Sequence, residues 1–465
     1  MEKKKGGFSG SLGFILAAAG SAVGVGNIWR FPYLAAQHGG GLFILVYLIL
    51  VLTFGFALLS TDIAIGRKTG KSPLHAFSSV RPKWGFLGKL TFIVPAIIIT
   101  YYVVIGGWIL KYTTDFVIGH ASLAAQDGYF GDFIAAPVAP IIFMLIYLAI
   151  TAFVVYAGVE KGVERFSKIV MPGLVLIIIG VAIYALTLKH TGEDGVVRTG
   201  LQGLAVYLIP NFEGVTVESF IQLVLDATSQ LFFSLSVSMG IMITYGTYVP
   251  KDVSLTKSVS RIELFDTLVA VLVGMMIIPA VYVFSGTEGM ASGPSLLFIS
   301  LPKVFDSMGI TGHIIGAVFF IMVCFAALTS SVSIMETLVA SCMEVFHVNR
   351  KKMSLIIGVL AAVGAVIVCL GYNVLYFNIT LPNGSAAQIL DIADYISNSI
   401  MMPLISLLTC IFVGWVMKPK WIIDEIECTG ERFRRKQLYI FIVRYAAPII
   451  MIIFFLQSAG VFKGL

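Results

Sequence analysis

The chain has 465 residues, of which 58% are hydrophobic and only 12% charged, with a formal net charge of +6 and a mean hydropathy of +0.96. A soluble domain carries about 25% charged residues, so this composition excludes a water-soluble globular protein and makes lipid the expected solvent. The five cysteines and six histidines show neither a disulfide framework nor metal-ligand spacing.

A helix needs about 20 residues to cross a hydrocarbon core. Eleven apolar stretches reach or approach that length: 12–36, 41–65, 90–110, 140–156, 169–188, 220–248, 264–284, 314–345, 355–370, 389–417 and 438–461. The runs are continuous rather than alternating, and a lone segment in lipid satisfies its backbone amides only as a helix. The reading is an all-α polytopic membrane protein with a single transporter domain over residues 1–465. Its first stretch is too long for a cleavable leader and carries Arg30 inside it.

The first span holds Gly20, Gly24 and Gly26, followed by Asn27, Arg30 and Pro32. Glycine costs about 1 kcal/mol against alanine inside a helix. Close packing through small residues accounts for Gly20 and Gly24, but not for the adjacent Gly26-Asn27 pair, so an unwound segment is predicted there. The second span carries Asp62 close to its end, within reach of the interface. Gly162 and Pro172 bracket the start of span five, where glycine tolerates unwinding and proline removes a backbone bond, so loosening is predicted at that end. Span six reads Ser234, Ser236 and Ser238 before Gly240, a second predicted break. Spans one and six open the two halves of a five-plus-five arrangement, and matched interrupted helices point to a transporter site. Arg30, Asp226, Asp266, Glu336, Asp391 and Asp394 also lie within or at the rims of spans, at a cost of at least about 2.5–3.5 kcal/mol for a charge at a helix centre. Asp391 is close enough to an end to reach the interface; Asp266 and Arg30 are better explained by function.

Lys3, Lys4 and Lys5 precede the first span, and Arg67, Lys68, Lys71, Arg81, Lys83 and Lys89 fill the loop after the second. Lys161, Lys251, Arg350 and Arg435 fall on the same side, while the opposite loops are poor in Lys and Arg. The positive-inside rule makes the N-terminus cytoplasmic, and eleven crossings put the C-terminus outside the cell (inner) membrane. The net charge therefore faces anionic lipid and implies no nucleic-acid partner.

The run from Leu12 through Gly20, Asn27 and Arg30 to Tyr33 resembles the first helix of the neurotransmitter:sodium symporter family, in its bacterial amino-acid branch. Tyr101-Tyr102, the Gly162 to Pro172 run, Gln230 to Ser236, Leu328 to Ser331 and Asp394-Tyr395 match further segments in order from about residue 8 to 420. The resemblance implies a leucine-transporter-like fold with an inverted repeat (about 10–190 and about 215–420), broken helices one and six, and an extra helix at about 437–462. It implies import of a neutral, hydrophobic or aromatic L-amino acid by sodium symport, without enzymatic chemistry. A sensor built on the same fold, or a channel without coupled transport, is the alternative.

Carried over by position, one sodium ion would be held by the Ala22 carbonyl, Asn27, Ser234, Asp266 and the substrate carboxylate. The second would take the carbonyls of Gly20, Val23 and Ala326 and the hydroxyls of Thr329 and Ser330. Oxygen-only ligands suit a hard cation. The substrate would lie among Ser21, Ala22, Val25, Gly26, Ile98, Tyr102, Phe233, Ser234, Ser236, Met239, Ser330 and Ile334, with its carboxylate on free amides near Val25 and Gly26. Met239 is flexible and polarizable and can mould itself to rings or branched chains. Arg30, Gln230, Phe233 and Asp394 would form an outer gate, and Lys5, Tyr248 and Glu344 an inner one. With Asp266 at the first sodium site and Ala270 where animal members carry a chloride-binding Ser, no chloride is expected. Most members have twelve spans against eleven here, and the oligomeric state is unknown from the sequence.

Overall fold

The structure is a computed structural model that describes residues 7–192, 195–286, 294–382 and 384–461. Two short helices open it, α1 (Ser11–Ala22) and α2 (Val25–Gln37), bent by 54° at their junction. Four long helices follow: α3 (Gly41–Thr69), α4 (Pro82–Val117), α5 (Ala139–Ala157) and α6 (Val159–Thr187). The sixth predicted span divides into α7 (Val217–Ser234) and α8 (Ile241–Gly246). The other long helices are α9 (Leu255–Ser285), α10 (Gly309–Phe346), α11 (Arg350–Leu370), α12 (Ile389–Val416) and α13 (Lys436–Ser458). Among the described residues nine helices are each long and apolar enough to cross a membrane, and the α1–α2 pair makes a tenth. The α7–α8 pair does not meet that measure, because residues 235–240 interrupt it.

Both breaks have local causes. Val23 turns extended (ψ 92°) and Gly24 follows at φ −123°, ψ −168°. Asn27 Oδ1 then reaches back to accept the Gly24 N–H at 3.3 Å, in the manner of a capping box. The interruption is thus at Val23-Gly24, and the Gly26-Asn27 pair expected to unwind is already helical. In the sixth span Ser236 (φ 52°) and Ser238 (φ 64°) are left-handed, a conformation costing a non-glycine residue about 1 kcal/mol or more. That strain is held by Asp62, which accepts the Ser238 N–H at 2.9 Å and is buried. Asp62 therefore does not reach the interface as its position suggested. Helix α3 runs on to Thr69 and carries Asp62 inside the protein.

Apolar residues such as Phe153, Leu176, Leu355 and Val359 on α5, α6 and α11 point outward, as lipid-facing surface does. Polar side chains including Asn27, Ser234, Asp266 and Glu336 are buried inside. The outer helices shield the broken ones, so that charge and free backbone meet protein rather than lipid. Ahead of span five the chain is wound rather than loosened: a π turn, Val159–Glu164, follows Gly158 at φ 100° and runs unbroken into the helix that carries Pro172.

Candidate functional site: a central pocket between two gates

The ends of α1, α2, α7 and α8 converge on one small cavity of about 20 Å³. Nine residues expected at the substrate line it: Ser21, Ala22 and Ser236 at the breaks, Ile98 and Tyr102 from α4, Phe233 and Met239 from the sixth span, and Ser330 and Ile334 from α10. Gly24, Asn27 and Ile241 complete the wall, whereas Val25, Gly26 and Ser234 stand behind it. The lining carries no ionised side chain. Tyr102 Oη is buried without a hydrogen-bond partner among the described residues. A Cβ on Gly24 would lie 3.3 Å from this hydroxyl and 2.9 Å from Ser330 Oγ, so glycine keeps that space clear.

Beside the cavity, oxygens gather around Asp266. Asn27 Nδ2 donates to Asp266 Oδ1 at 2.8 Å, and Ser234 Oγ donates to its two oxygens at 2.9 and 3.0 Å. Ser234 Oγ also lies 3.3 Å from Asn27 Oδ1, and Tyr47 Oη reaches Asp266 Oδ2 at 3.4 Å. All four residues are buried. Three carboxyl and amide oxygens and a hydroxyl in one dry volume fit a hard monovalent cation. Among the described residues no trio of His, Cys, Asp or Glu could hold a metal ion instead.

Of the residues expected at the second cation site, the hydroxyls bond back within their own helix and lie against α1. Thr329 Oγ1 and Ser330 Oγ both donate to the Ala326 carbonyl, at 2.9 and 3.4 Å. Ser330 Oγ is 3.2 Å from the Ser21 carbonyl, and Gly20 packs so close that a Cβ there would be 3.3 Å from Thr329 Cβ. Val23, whose ψ of 92° departs from the helix, ends α1.

Phe233 closes the cavity on one side: a Cβ on Gly26 would strike its ring at 2.5 Å. Gln230 Nε2 donates to the Gly26 carbonyl at 3.3 Å. The expected Arg30–Asp394 ion pair is absent among the described residues. Arg30 Nη2 instead donates to Ser229 Oγ at 2.7 Å, while Asp394 Oδ1 accepts from Asn398 Nδ2 at 2.6 Å. Beyond this barrier a vestibule of about 1060 Å³ is bounded by Arg30, Asp226, Ile453 and Gln457.

On the face of the basic loops the barrier differs from the expected one. Tyr248 Oη donates to Glu336 Oε1 at 2.7 Å, and Arg350 grips the same carboxylate with two bonds of 2.5 and 2.9 Å. Glu344 is turned elsewhere, accepting the Ser72 N–H at 2.9 Å and pairing with Lys71 at 3.2 Å. Lys5, the remaining residue expected here, lies outside the described residues. Phe8 covers the barrier, edge-on to Tyr245 and Tyr248. The following Ser9 donates its N–H to Glu164 Oε2 at 2.8 Å, fastening this strand to the π turn of α6. A cavity of about 1000 Å³ opens below, past Arg350 and Tyr248. The central pocket is thus shut on both sides.

Sequence reasoning flagged Glu336 as an intramembrane charge without giving it a partner. Gly24 reads from sequence only as close packing and Arg350 only as a basic-loop charge, while Tyr47 and Ile241 carry no local signal that sets them apart.

Three comparisons bear on this arrangement. The sequence pattern of the Sodium:neurotransmitter symporter family matches residues 5–122 and 134–465. An uncharacterized sodium-dependent transporter of Bacillus subtilis, YhdH, is 32% identical over 99% of this chain and 99% of its own. The human sodium- and chloride-dependent GABA transporter 2 is 25% identical over 92% of this chain and 77% of its own. The crystal structure of MhsT in complex with L-phenylalanine superposes with a TM-score of 0.83 at 35% identity, covering 98% of this chain and 100% of that one.

Proposed function

The chain belongs to the sodium:neurotransmitter symporter family, and from that premise we propose that it imports neutral hydrophobic or aromatic L-amino acids, each with two sodium ions. It is a polytopic sodium-coupled transporter and not an enzyme. The observation that carries the substrate reading is the juxtaposition of an apolar pocket, an unpartnered Tyr102 hydroxyl and the oxygens around Asp266. An amino acid would place its carboxylate against Tyr102 and the first turn of α2, where the amides of Val25 and Gly26 favour an anion. Its side chain would rest on Ile98, Phe233, Met239, Ile241 and Ile334. MhsT, crystallised with L-phenylalanine, supports a ring-sized occupant. The cavity must widen to admit one, which makes rearrangement of residues 235–240 part of binding.

The first sodium would be held by Ala22, Asn27, Ser234, Asp266 and the substrate itself, the second by Gly20, Val23, Ala326, Thr329 and Ser330. Asp266 supplies a fixed negative charge against the ions brought in, so transport needs no chloride. Residues about 10–190 and about 215–420 form the two inverted repeats, with α13 added. The α7–α8 pair counts as the eleventh crossing. The basic loops are cytoplasmic, and the Phe233 side faces out. Arg30, Gln230, Phe233 and Asp394 guard the outer entrance, while Tyr248, Glu336 and Arg350 guard the inner.

Because the carboxylate is a direct ligand of the first ion, sodium and substrate raise each other's affinity by the same factor. Binding of L-phenylalanine to the purified protein, measured in sodium and in choline, tests this. At least about a tenfold loss of affinity in choline, about 1.4 kcal/mol of coupling, is expected. Equal dissociation constants in the two salts would sink the shared site.

A further inference from the structure

Where α12 and α13 meet at the basic-loop end, an arginine lies within a long apolar helix and none of the sites above uses it. Arg444 is eight residues into α13, about 12 Å from its start. Its Nε donates to the Gly414 carbonyl at 3.0 Å, and Trp415 Nε1 donates back to the Arg444 carbonyl at 3.3 Å. Both accepting carbonyls lie in π turns, Phe412–Val416 of α12 and Ile442–Ala446 of α13. Such turns interrupt the regular backbone ladder and are frequent at functional sites. Gly414 lets the two turns meet: a Cβ there would be 3.2 Å from the Val443 carbonyl oxygen and 3.3 Å from Arg444 Cγ.

This clamp holds the guanidinium by one nitrogen. Among the described residues the two Nη groups of Arg444 have no acceptor, and no carboxylate pairs with them. The guanidinium carbon stands 5.8 Å from the centre of the Trp415 ring. Tyr445 meets that ring edge-on at 5.8 Å, and Phe441, one turn before Arg444, lies 6.3 Å from Tyr445. Trp415, Tyr445 and Phe441 are 54%, 47% and 58% exposed, so the guanidinium sits in an aromatic surface that faces outward. Trp415 is next to last in α12, and the exposed Lys418 and Lys420 follow it. Aromatic rings followed by lysines mark the boundary between hydrocarbon and headgroups. Arg444, bonded to residues 414 and 415, is level with that boundary on the basic-loop side.

The geometry points to Arg444 as the headgroup site of an anionic phospholipid in the leaflet on that side, with the acyl chains lying along Trp415, Phe441 and Tyr445. An unneutralised charge on a lipid-facing helix is costly, and a phosphodiester cancels it. The Nε bond to Gly414 fixes the guanidinium plane, and the two Nη groups then present a planar fork that suits two phosphate oxygens. A choline lipid brings the same phosphate with a quaternary ammonium beside it, which Arg444, Lys418 and Lys420 repel. The site therefore selects a headgroup with net negative charge, such as phosphatidylglycerol. It is separate from the sodium and substrate assignments and stands without them.

Trp415 supplies the readout. The full chain is reconstituted in phosphatidylcholine vesicles, and phosphatidylglycerol or phosphatidylcholine carrying bromine on its acyl chains is titrated in. Fluorescence quenching that a Trp415→Phe variant lacks belongs to this site. The wild type should prefer brominated phosphatidylglycerol about fivefold (about 1 kcal/mol), as one basic residue contributes at an anionic surface. Arg444→Gln should lose that preference, and Arg444→Lys, which keeps the charge without the fork, should fall between the two. Lys420→Gln removes a neighbouring charge without touching the clamp and should lower the preference less than Arg444→Gln does. Equal quenching of the wild type by the two lipids, or the wild-type preference in Arg444→Gln, would overturn the proposal. So would a preference that excess inorganic phosphate abolishes at constant ionic strength, because a free phosphate would then be the occupant.

Discussion

Arg350→Ala should open the inner barrier. Arg350 holds Glu336 with two bonds, and Tyr248 adds a third to the same carboxylate. Glu336 is wholly buried, while the Arg350 side chain is 21% exposed. Removing one partner of a buried pair costs about 3–5 kcal/mol, because the other charge is stranded. Partial exposure of Arg350 and the surviving Tyr248 bond reduce this to about 2 kcal/mol. The loss falls on the closed form alone, since opening lets water from the lower vestibule reach Glu336. About 2 kcal/mol is roughly a thirtyfold shift of population toward the open form. Cys342, buried on α10 between Glu336 and the basic loops, reports on it. In a Cys428→Ser background, which removes the exposed thiol, modification at Cys342 should accelerate by about that factor, and amino-acid affinity in sodium should fall. An unchanged rate together with unchanged affinity would refute the reasoning.

Asp62→Ala strips the acceptor from the buried Ser238 N–H, which costs about 1–3 kcal/mol; equilibrium binding of L-phenylalanine should weaken by roughly tenfold or more, and wild-type affinity would show that the left-handed serines hold themselves. Uptake into proteoliposomes in gluconate should stay within about twofold of uptake in chloride (about 0.4 kcal/mol), because Asp266 carries the compensating charge and Ala270 offers no hydroxyl; a strict chloride requirement would contradict that role.

The broken helices were readable because glycine and serine at mid-span violate helix propensity without help from any neighbour. Where the first break falls was not, since the residue that decides it, Asn27, acts through a side chain reaching back to Gly24. Asp266 and Ser234 were placed by resemblance, and the structure brings them together across 32 positions. Asp62 was misjudged for a physical reason: an apolar run ends where polar residues begin, but α3 continues through them under cover of its neighbours. The inner barrier failed in a similar way. Glu336 and Glu344 both sit on α10, eight residues or about 12 Å apart along the axis, and only the height at which Tyr248 leaves α8 chooses between them. The Arg30–Asp394 pair came from resemblance alone, and here Ser229 and Asn398 take those side chains instead.

The interrupted sixth span has a consequence for how the chain enters its membrane. The nine long helices are each long and apolar enough to cross a membrane, whereas the α7–α8 pair falls short of that measure. It packs on α2 and α3, both made earlier in synthesis, and those helices offer the polar and backbone partners that lipid lacks. On the proposed reading of this pair as the eleventh crossing, its insertion is expected to be templated rather than autonomous. The helices after it then take their direction across the bilayer from that step, so its failure to insert should invert the second half of the protein rather than merely deform a site.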